Sequence, residues 1–568
     1  MFDELPPGKD QLMQWVWADF EPYYEDLAGR WLNQENVTQW LKDWSLISRI
    51  DNELYNRLYV ATTVNTADEV SRQRFEIYMT QTYTKTQEGE QVLKEKLLES
   101  GLQPEGFDLA LRNMRAETEL FCTANLPLLA QEEVLNTEYD SLIGAQTISW
   151  NGTELTLTQM RPLLQETDRS SRERVWRLAM QRRLKDQTAL ADLWQKLFTL
   201  RQQIASNAGY TDYLQYRWRE LLRFDYTPEE CRQFRRAIEQ VVVPAATRIY
   251  QRRCRQMQVD SLRPWDLEAD PLKREPLRPF DQVNHLVKKV SNIFHRLHPE
   301  LGAYFDTMQR EGLLDLENRK DKAPGGYCTE FAIEHQPFIF ANAVGIHNDV
   351  VTLIHEGGHA FHVFESAHLP YFQQLKVPME FAEVASMAME LLSMPYLDES
   401  QGGFYTAEEA NRARVEQLER AILFWPYMAV VDAFQHWAYT HPQQAAQAEA
   451  CDKTWAELWD QFMPGEDWSG LEAEKASGWQ RKEHIFAEPF YYIEYGLAQL
   501  GAVLVWENAL HDQAAAVDAY RRALSLGATC SLPDLYRAAG ALLTFEANTL
   551  KRVVELMEMK IEEFTEQS

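Results

Sequence analysis

The chain has 568 residues, 45% hydrophobic and 12% aromatic, enough for a large core or several subdomains and too apolar for an intrinsically disordered protein. Its formal net charge of −29 argues against nucleic acid or an anionic membrane as partner, because both require a basic face. Six cysteines, Cys122, Cys231, Cys254, Cys328, Cys451 and Cys530, show no CxxC or paired spacing, which predicts reduced thiols and a cytoplasmic protein.

From about Lys9 to Leu142 the texture is helical, rich in Leu, Glu, Gln and Arg with few Gly or Pro breaks. Trp15, Trp17, Trp31, Trp40 and Trp44 recur near helical spacing and are expected to form core ridges. The period then changes. Thr147 to Leu157 alternates around Asn151-Gly152, a dipeptide suited to a type I′ turn, and predicts a β-hairpin. Helical texture resumes at Gln159 and runs to about Ala208, where Gly209 stops it. Asp260 to Pro279 carries four prolines and reads as a connector, or alternatively as a wall of a cleft.

Asp315 to Tyr327 is polar and then glycine-rich, and Pro337 to Val344 is a short apolar strand ending at Gly345. Such a strand either offers a free edge to an extended peptide or lies buried without one. The apolar run Ala421 to Val431 is too short for a membrane span and contains Pro426, and the acidic start of the chain has no apolar core of a secretory signal.

The decisive stretch is Asp349-Val-Val-Thr-Leu-Ile-His355-Glu356-Gly-Gly-His359-Ala-Phe-His362, which contains HExxH. On a helix this spacing sets two imidazoles on one face, close enough to share a zinc ion, with a carboxylate beside them for proton transfer. Composition alone gives only roughly 0.05 chance matches in a chain of this length. Asn348 or Asp349 is expected to cap the helix, whose apolar residues lie nearly all round it. Gly357 and Gly358 inside it imply a close approach to its backbone.

A catalytic zinc site needs a third protein ligand. His362 lies two turns from His355, about 10 Å along a straight helix, too far to share one ion easily. The metzincin pattern also fails, with His362 where Gly belongs and Glu365 where His belongs. Downstream, Met379 to Leu392 is an apolar helix with a single polar stripe of Glu383, Ser386 and Glu390. A carboxylate on a buried stripe needs a partner, so Glu383 is assigned as the third ligand and Glu390 as an acceptor for a ligand imidazole N–H. Glu380 reads as a solvated residue at the helix start.

After Pro395 the chain is helical to its end. Within this region His484, Pro489, Tyr491, Tyr492 and Tyr495 read either as an aromatic core face or as hydroxyl and imidazole donors to an oxyanion.

Taken together, Lys322-Ala-Pro-Gly-Gly-Tyr327, Pro337-Phe-Ile-Phe-Ala-Asn342, Thr352 through His362, and Phe381-Ala-Glu383-Val-Ala-Ser386 with Glu390 resemble the oligoendopeptidase F branch of the thimet-oligopeptidase-like zinc metallopeptidases. The resemblance continues more weakly at His484 to Gly496, at Leu157-Thr158 through Asp168-Arg169, and at Gly209-Tyr210. The first 140 or so residues match it only in length and helical texture.

The resemblance implies a mainly α, two-lobed helical zincin with a deep substrate channel and a small β-sheet beside the HExxH helix. It implies one Zn2+ per chain held by His355, His359 and Glu383, with Glu356 as general base. His484, Tyr492 and Tyr495 correspond to the family's transition-state donors. The loop after His484 is one residue shorter than the family pattern, which puts Glu488 or Pro489 where a further tyrosine is expected. The expected division is an N-terminal helical lobe, residues 1–195, and a catalytic domain, residues 196–568. The expected activity is hydrolysis of internal bonds in short unfolded oligopeptides, the alternative being a zinc carboxypeptidase or dipeptidase of related helical fold.

Overall fold

The computed structural model describes residues 2–567, and these are predominantly helical with two small sheets. Their apolar side chains gather into two large cores. One draws on residues from Leu12 to Met114 together with Tyr371, the other on residues from Leu120 to Ile561.

Helix α1 (Val37–Val64) organises the first core. Its Trp40, Leu41, Trp44, Ile47, Ile50, Leu54 and Leu58 recur three and four apart and are buried. Of the tryptophans expected in the core, Trp40 and Trp44 are there, whereas Trp31 is 82% exposed. Trp31 follows the helix Trp17–Gly29, beyond the last turn that could hold it against the stripe.

The hairpin forms as the sequence predicts, with β1 (Thr147–Trp150) antiparallel to β2 (Thr153–Thr156). Asn151 and Gly152 both take positive φ, 50° and 84°, as the type I′ turn demands.

The second sheet has three strands, β3 (Leu314–Glu317), β4 (Tyr327–Phe331) and β5 (Gln336–Ala343), in the order β3-β5-β4. The apolar strand foreseen at Pro337 to Val344 is therefore central, paired parallel with β3 and antiparallel with β4. It has no open edge, and the outer strands are β3 and β4. Lys322 fastens the intervening loop to the sheet. Its buried ammonium donates to the carbonyls of Ala341 (2.6 Å), Glu317 (3.0 Å) and Asp315 (3.0 Å).

The α1 helix crosses this sheet and joins the two cores. Asn56 donates to the Glu330 carbonyl on β4 at 2.8 Å, and the hydroxyls of Thr63 and Tyr327 are 2.6 Å apart.

Helix α2 (His347–Ser366) starts after β5, earlier than the expected cap. Asp349 still ties down the turn, but from inside the helix. One of its oxygens accepts the backbone N–H groups of Val344, Gly345 and Ile346 at 2.7, 2.8 and 3.0 Å. Helix α3 (Met379–Leu392) packs across α2, and α5 (Tyr492–His511) packs on α3. The apolar run around Pro426 lies within the 34-residue helix α4 (Ala407–Thr440), most of whose residues are buried among neighbours. Among the described residues, no helix is long and apolar enough to cross a membrane.

Candidate active site

The crossing of α2 and α3 is close because Gly358 has no side chain. A Cβ there would stand 2.5 Å from the Ser386 Cα and 2.6 Å from the Ala385 carbonyl oxygen. Gly357 makes room for the Phe294 ring on the other side. The two glycines that would weaken an isolated helix thus let its histidines meet the carboxylate stripe of α3.

His355 and His359 face the same side, their rings edge to face with centroids 5.1 Å apart. Glu383 Oε2 lies 3.4 Å from His355 Nε2 and 3.7 Å from His359 Nε2. One ligand atom from each of the three residues falls within 4.8 Å of the others, and no other such group of three or more occurs among the described residues. Two imidazole nitrogens and one carboxylate oxygen suit zinc and leave a coordination position free. Glu390 Oε1 is 2.7 Å from His355 Nδ1, which fixes that ring with Nε2 toward the centre.

Burial pushes the Glu383 carboxyl upward, but the two imidazoles and a bond from Tyr491 outweigh it and hold the group down at about 2. Glu356 is the opposite case. Burial raises it to about 7, with His355 pulling down and Glu383 and Glu390 pushing up. Glu356 Oε2 is buried and has no hydrogen-bond partner. Gly326, at the start of β4, leaves space above Glu356 Oε1, since a Cβ there would stand 3.7 Å from it.

His362 is 6% exposed, both ring nitrogens lack partners, and its ring packs edge-on against Phe381. Burial drives it down to about 3, so it is a neutral core histidine away from the cluster. Glu380 is not solvated, contrary to the expectation from its place at a helix start. It is 4% exposed, accepts from the Tyr226 hydroxyl at 2.5 Å, and lies 3.6 Å from Arg223. A charge brought from about 150 residues away compensates it, which helix position alone does not reveal.

The C-terminal aromatic group is assembled around His484. Its Nε2 is 3.2 Å from the Tyr495 hydroxyl, and its ring meets those of Tyr491 and Tyr492 with centroids 5.6 and 5.1 Å away. Burial raises the Tyr495 phenol, with Glu383, Tyr492 and Glu356 adding to the effect, so its oxygen sits in the field of both site carboxylates. Tyr492 is 4% exposed, packed between Phe424 and Tyr427 with the Lys482 ammonium 4.3 Å over its ring. The hydroxyl that reaches the cluster is that of Tyr491, which donates to Glu383 Oε1 at 2.6 Å. The sequence offers Tyr491 only as one of several candidate hydroxyl donors to an oxyanion, and the family resemblance assigns that role to Tyr492 and Tyr495 instead. The only available signal was the loop one residue short of the family pattern, immediately before it.

An HExxH helix crossed by a second helix that brings Glu383 to its histidines is a metallopeptidase arrangement. The chain belongs to peptidase family M3, whose family model matches residues 162–555. It is similar to the oligopeptidase PepF of Bacillus subtilis (strain 168), 25% identical over 279 residues. That match spans 47% of this chain and 39% of the relative, well under half of the relative's length. Among solved structures, Pz peptidase A in complex with an inhibitor superposes with a TM-score of 0.90 at 26% identity, covering 100% of both chains. A protein described as an oligoendopeptidase F gives a TM-score of 0.90 at 27% identity over 99% of this chain and 98% of its own. The resemblance to the oligoendopeptidase F branch is borne out over nearly the whole length.

Proposed function

We propose that this chain is a zinc-dependent endopeptidase that cuts internal bonds of short, unfolded peptides. The observation carrying this reading is Glu356, a buried carboxylate with an unpartnered oxygen beside a two-histidine, one-carboxylate donor set.

His355, His359 and Glu383 would hold one zinc ion per chain, which supplies a Lewis acid for the scissile carbonyl and lowers the pKa of water. Glu356 accepts the proton of the attacking water and passes it to the leaving nitrogen, a task suited to a carboxyl raised to about 7. His484 and Tyr495, 3.2 Å apart, would supply an N–H or O–H to the developing oxyanion. Tyr492 supports His484 by ring contact. Among the described residues no strand pairs with the outer side of β4, and α1 touches that strand through Asn56 on the Glu330 carbonyl and Thr63 on the Tyr327 hydroxyl. An extended peptide laid along β4 would present its backbone above Glu356. The cleft would thus be read through main-chain pairing, in keeping with varied sequences. The six cysteines, none in a disulfide, favour a reducing compartment such as the cytoplasm.

The test is Glu356→Gln. It should keep bound zinc and lose nearly all turnover of an internally quenched peptide, and wild-type turnover in that variant would end the proposal. Peptides blocked at both termini separate the carboxypeptidase or dipeptidase alternative, since an exopeptidase leaves them intact.

A further inference from the structure

The chain carries 29 more acidic than basic residues, so a basic side chain near the site without an anion is unexpected. Three such groups lie together. Arg183, on the helix Arg169–Lys185, has no ion pair or side-chain hydrogen bond among the described residues, and neither has Arg481 or Lys482. The two arginines line one cavity of about 430 Å³. Burial and the charge of Arg481 push Arg183 down to about 9, with Tyr139 and Tyr427 opposing, so the two guanidinium groups lie close enough to repel each other.

Among the described residues the cavity's own carboxylates form no ion pair with them, although Glu466, raised by burial, is pulled back by its hydrogen bonds and by the charge of Arg481. Glu466 accepts from the Tyr250 hydroxyl and the Trp468 ring N–H, each at 3.0 Å, and Glu268 lies 3.7 Å from Arg161. Asp321 is exposed and has no ion pair.

The cavity is lined by residues that lie close in the chain to two parts of the proposed active site. Ala323 and Pro324 line it, just before Gly326 at Glu356 and strand β4. Arg481 and Lys482 lie three and two residues before His484, with Glu483 between, and Lys482 sits over the Tyr492 ring. A peptide lying along β4 and continuing past Gly326 would enter the space in front of Arg183 and Arg481.

We propose that Arg183 and Arg481, with Lys482 beside them, form a carboxylate-binding subsite of the peptide channel. It would take either the C-terminal carboxylate of a short substrate or an Asp or Glu side chain near the bond to be cut. Guanidinium groups in a walled cleft bind a carboxylate bidentately and replace its hydration with fixed donors. This subsite rests on the peptidase reading, and it deepens that reading by giving the channel a charge preference.

The experiment compares kcat/KM for matched peptides, a free C-terminal acid against its amide, and Glu against Gln at each position flanking the cut. Wild type should prefer one anionic form by about 10-fold or more, the range expected for a charge-assisted hydrogen bond. The acid-to-amide arm and the Glu-to-Gln arm identify which carboxylate is bound. In Arg183→Gln/Arg481→Gln the preference should fall to about 1, and Arg481→Glu should invert it toward a basic peptide. An inversion cannot come from partial unfolding, which lowers both rates alike. No anionic preference in wild type, or an unchanged ratio in the double variant, would overturn the subsite. The same peptide pairs are titrated by fluorescence anisotropy onto zinc-loaded Glu356→Gln. If that variant discriminates in binding while wild type cuts none of the peptides, the peptidase reading falls and the subsite stands.

Discussion

The Tyr491 hydroxyl donates to Glu383 Oε1 at 2.6 Å, while the other oxygen of that carboxylate faces His355 and His359 at 3.4 and 3.7 Å. One carboxylate therefore has an oxygen held by a phenol and an oxygen left for a metal. Tyr491→Phe removes the bond that orients it and should lower zinc affinity or turnover by roughly 10- to 100-fold. Tyr492→Phe, which deletes a hydroxyl that makes no hydrogen bond to the cluster, should change zinc affinity by less than about 3-fold. Competition with a fluorescent chelator gives both numbers.

Glu390 performs the equivalent task for His355 from the far end of the same stripe, 2.7 Å from its Nδ1. Glu390→Gln keeps an acceptor but loses the charge, and Glu390→Ala loses both. Zinc affinity should fall in that order, the alanine variant by about 10- to 100-fold. Equal affinity in all three proteins would refute the orienting role.

Gly358 is where α2 and α3 touch backbone to backbone. Gly358→Ala has to displace the Ser386 Cα or the Ala385 carbonyl, and neither can rotate away. A destabilisation of about 3 kcal/mol or more is expected, together with weaker metal binding, because the donor set spans that crossing. Gly357→Ala meets the Phe294 ring and should be milder, since a ring can tilt. Thermal melts of the two variants, with and without zinc, read the difference.

Asp51 gives a pH dependence away from the metal cluster. Burial raises it from 3.8 to about 7, the Tyr78 and Thr86 bonds pull down, and Glu90 adds to the rise. Between these values the folded protein holds a proton that the unfolded chain has released. Stability from this group is complete below its unfolded value and is lost as pH rises through about 7. Asp51→Asn cannot titrate. Its urea midpoint should decline less than that of wild type between about pH 5 and pH 8. Parallel declines in the two proteins would contradict the assignment.

Much of the proposed site was set by local spacing. A helix turns about 100° per residue, so His355 and His359 share a face wherever the helix sits, and Glu383 to Glu390 form one stripe for the same reason. The hairpin was equally local, because Asn151-Gly152 carries its own turn geometry. What the sequence left open depends on partners distant in the chain. Strand β5 reads as a short apolar strand in any context, and only pairing with β3 and β4 on both sides makes it central. Glu380 looks like an exposed helix start until Arg223 and Tyr226 cover it. Tyr491 and Tyr492 are consecutive and similar in type. Phe490, with φ of 65°, and the start of α5 at Tyr492 set the course of the chain there, and Tyr491 is the one whose hydroxyl reaches Glu383. Sequence by itself fixed the residues whose relation is one helical turn. Tertiary structure alone decided those that meet across separate elements, because their distance depends on how whole helices and strands pack.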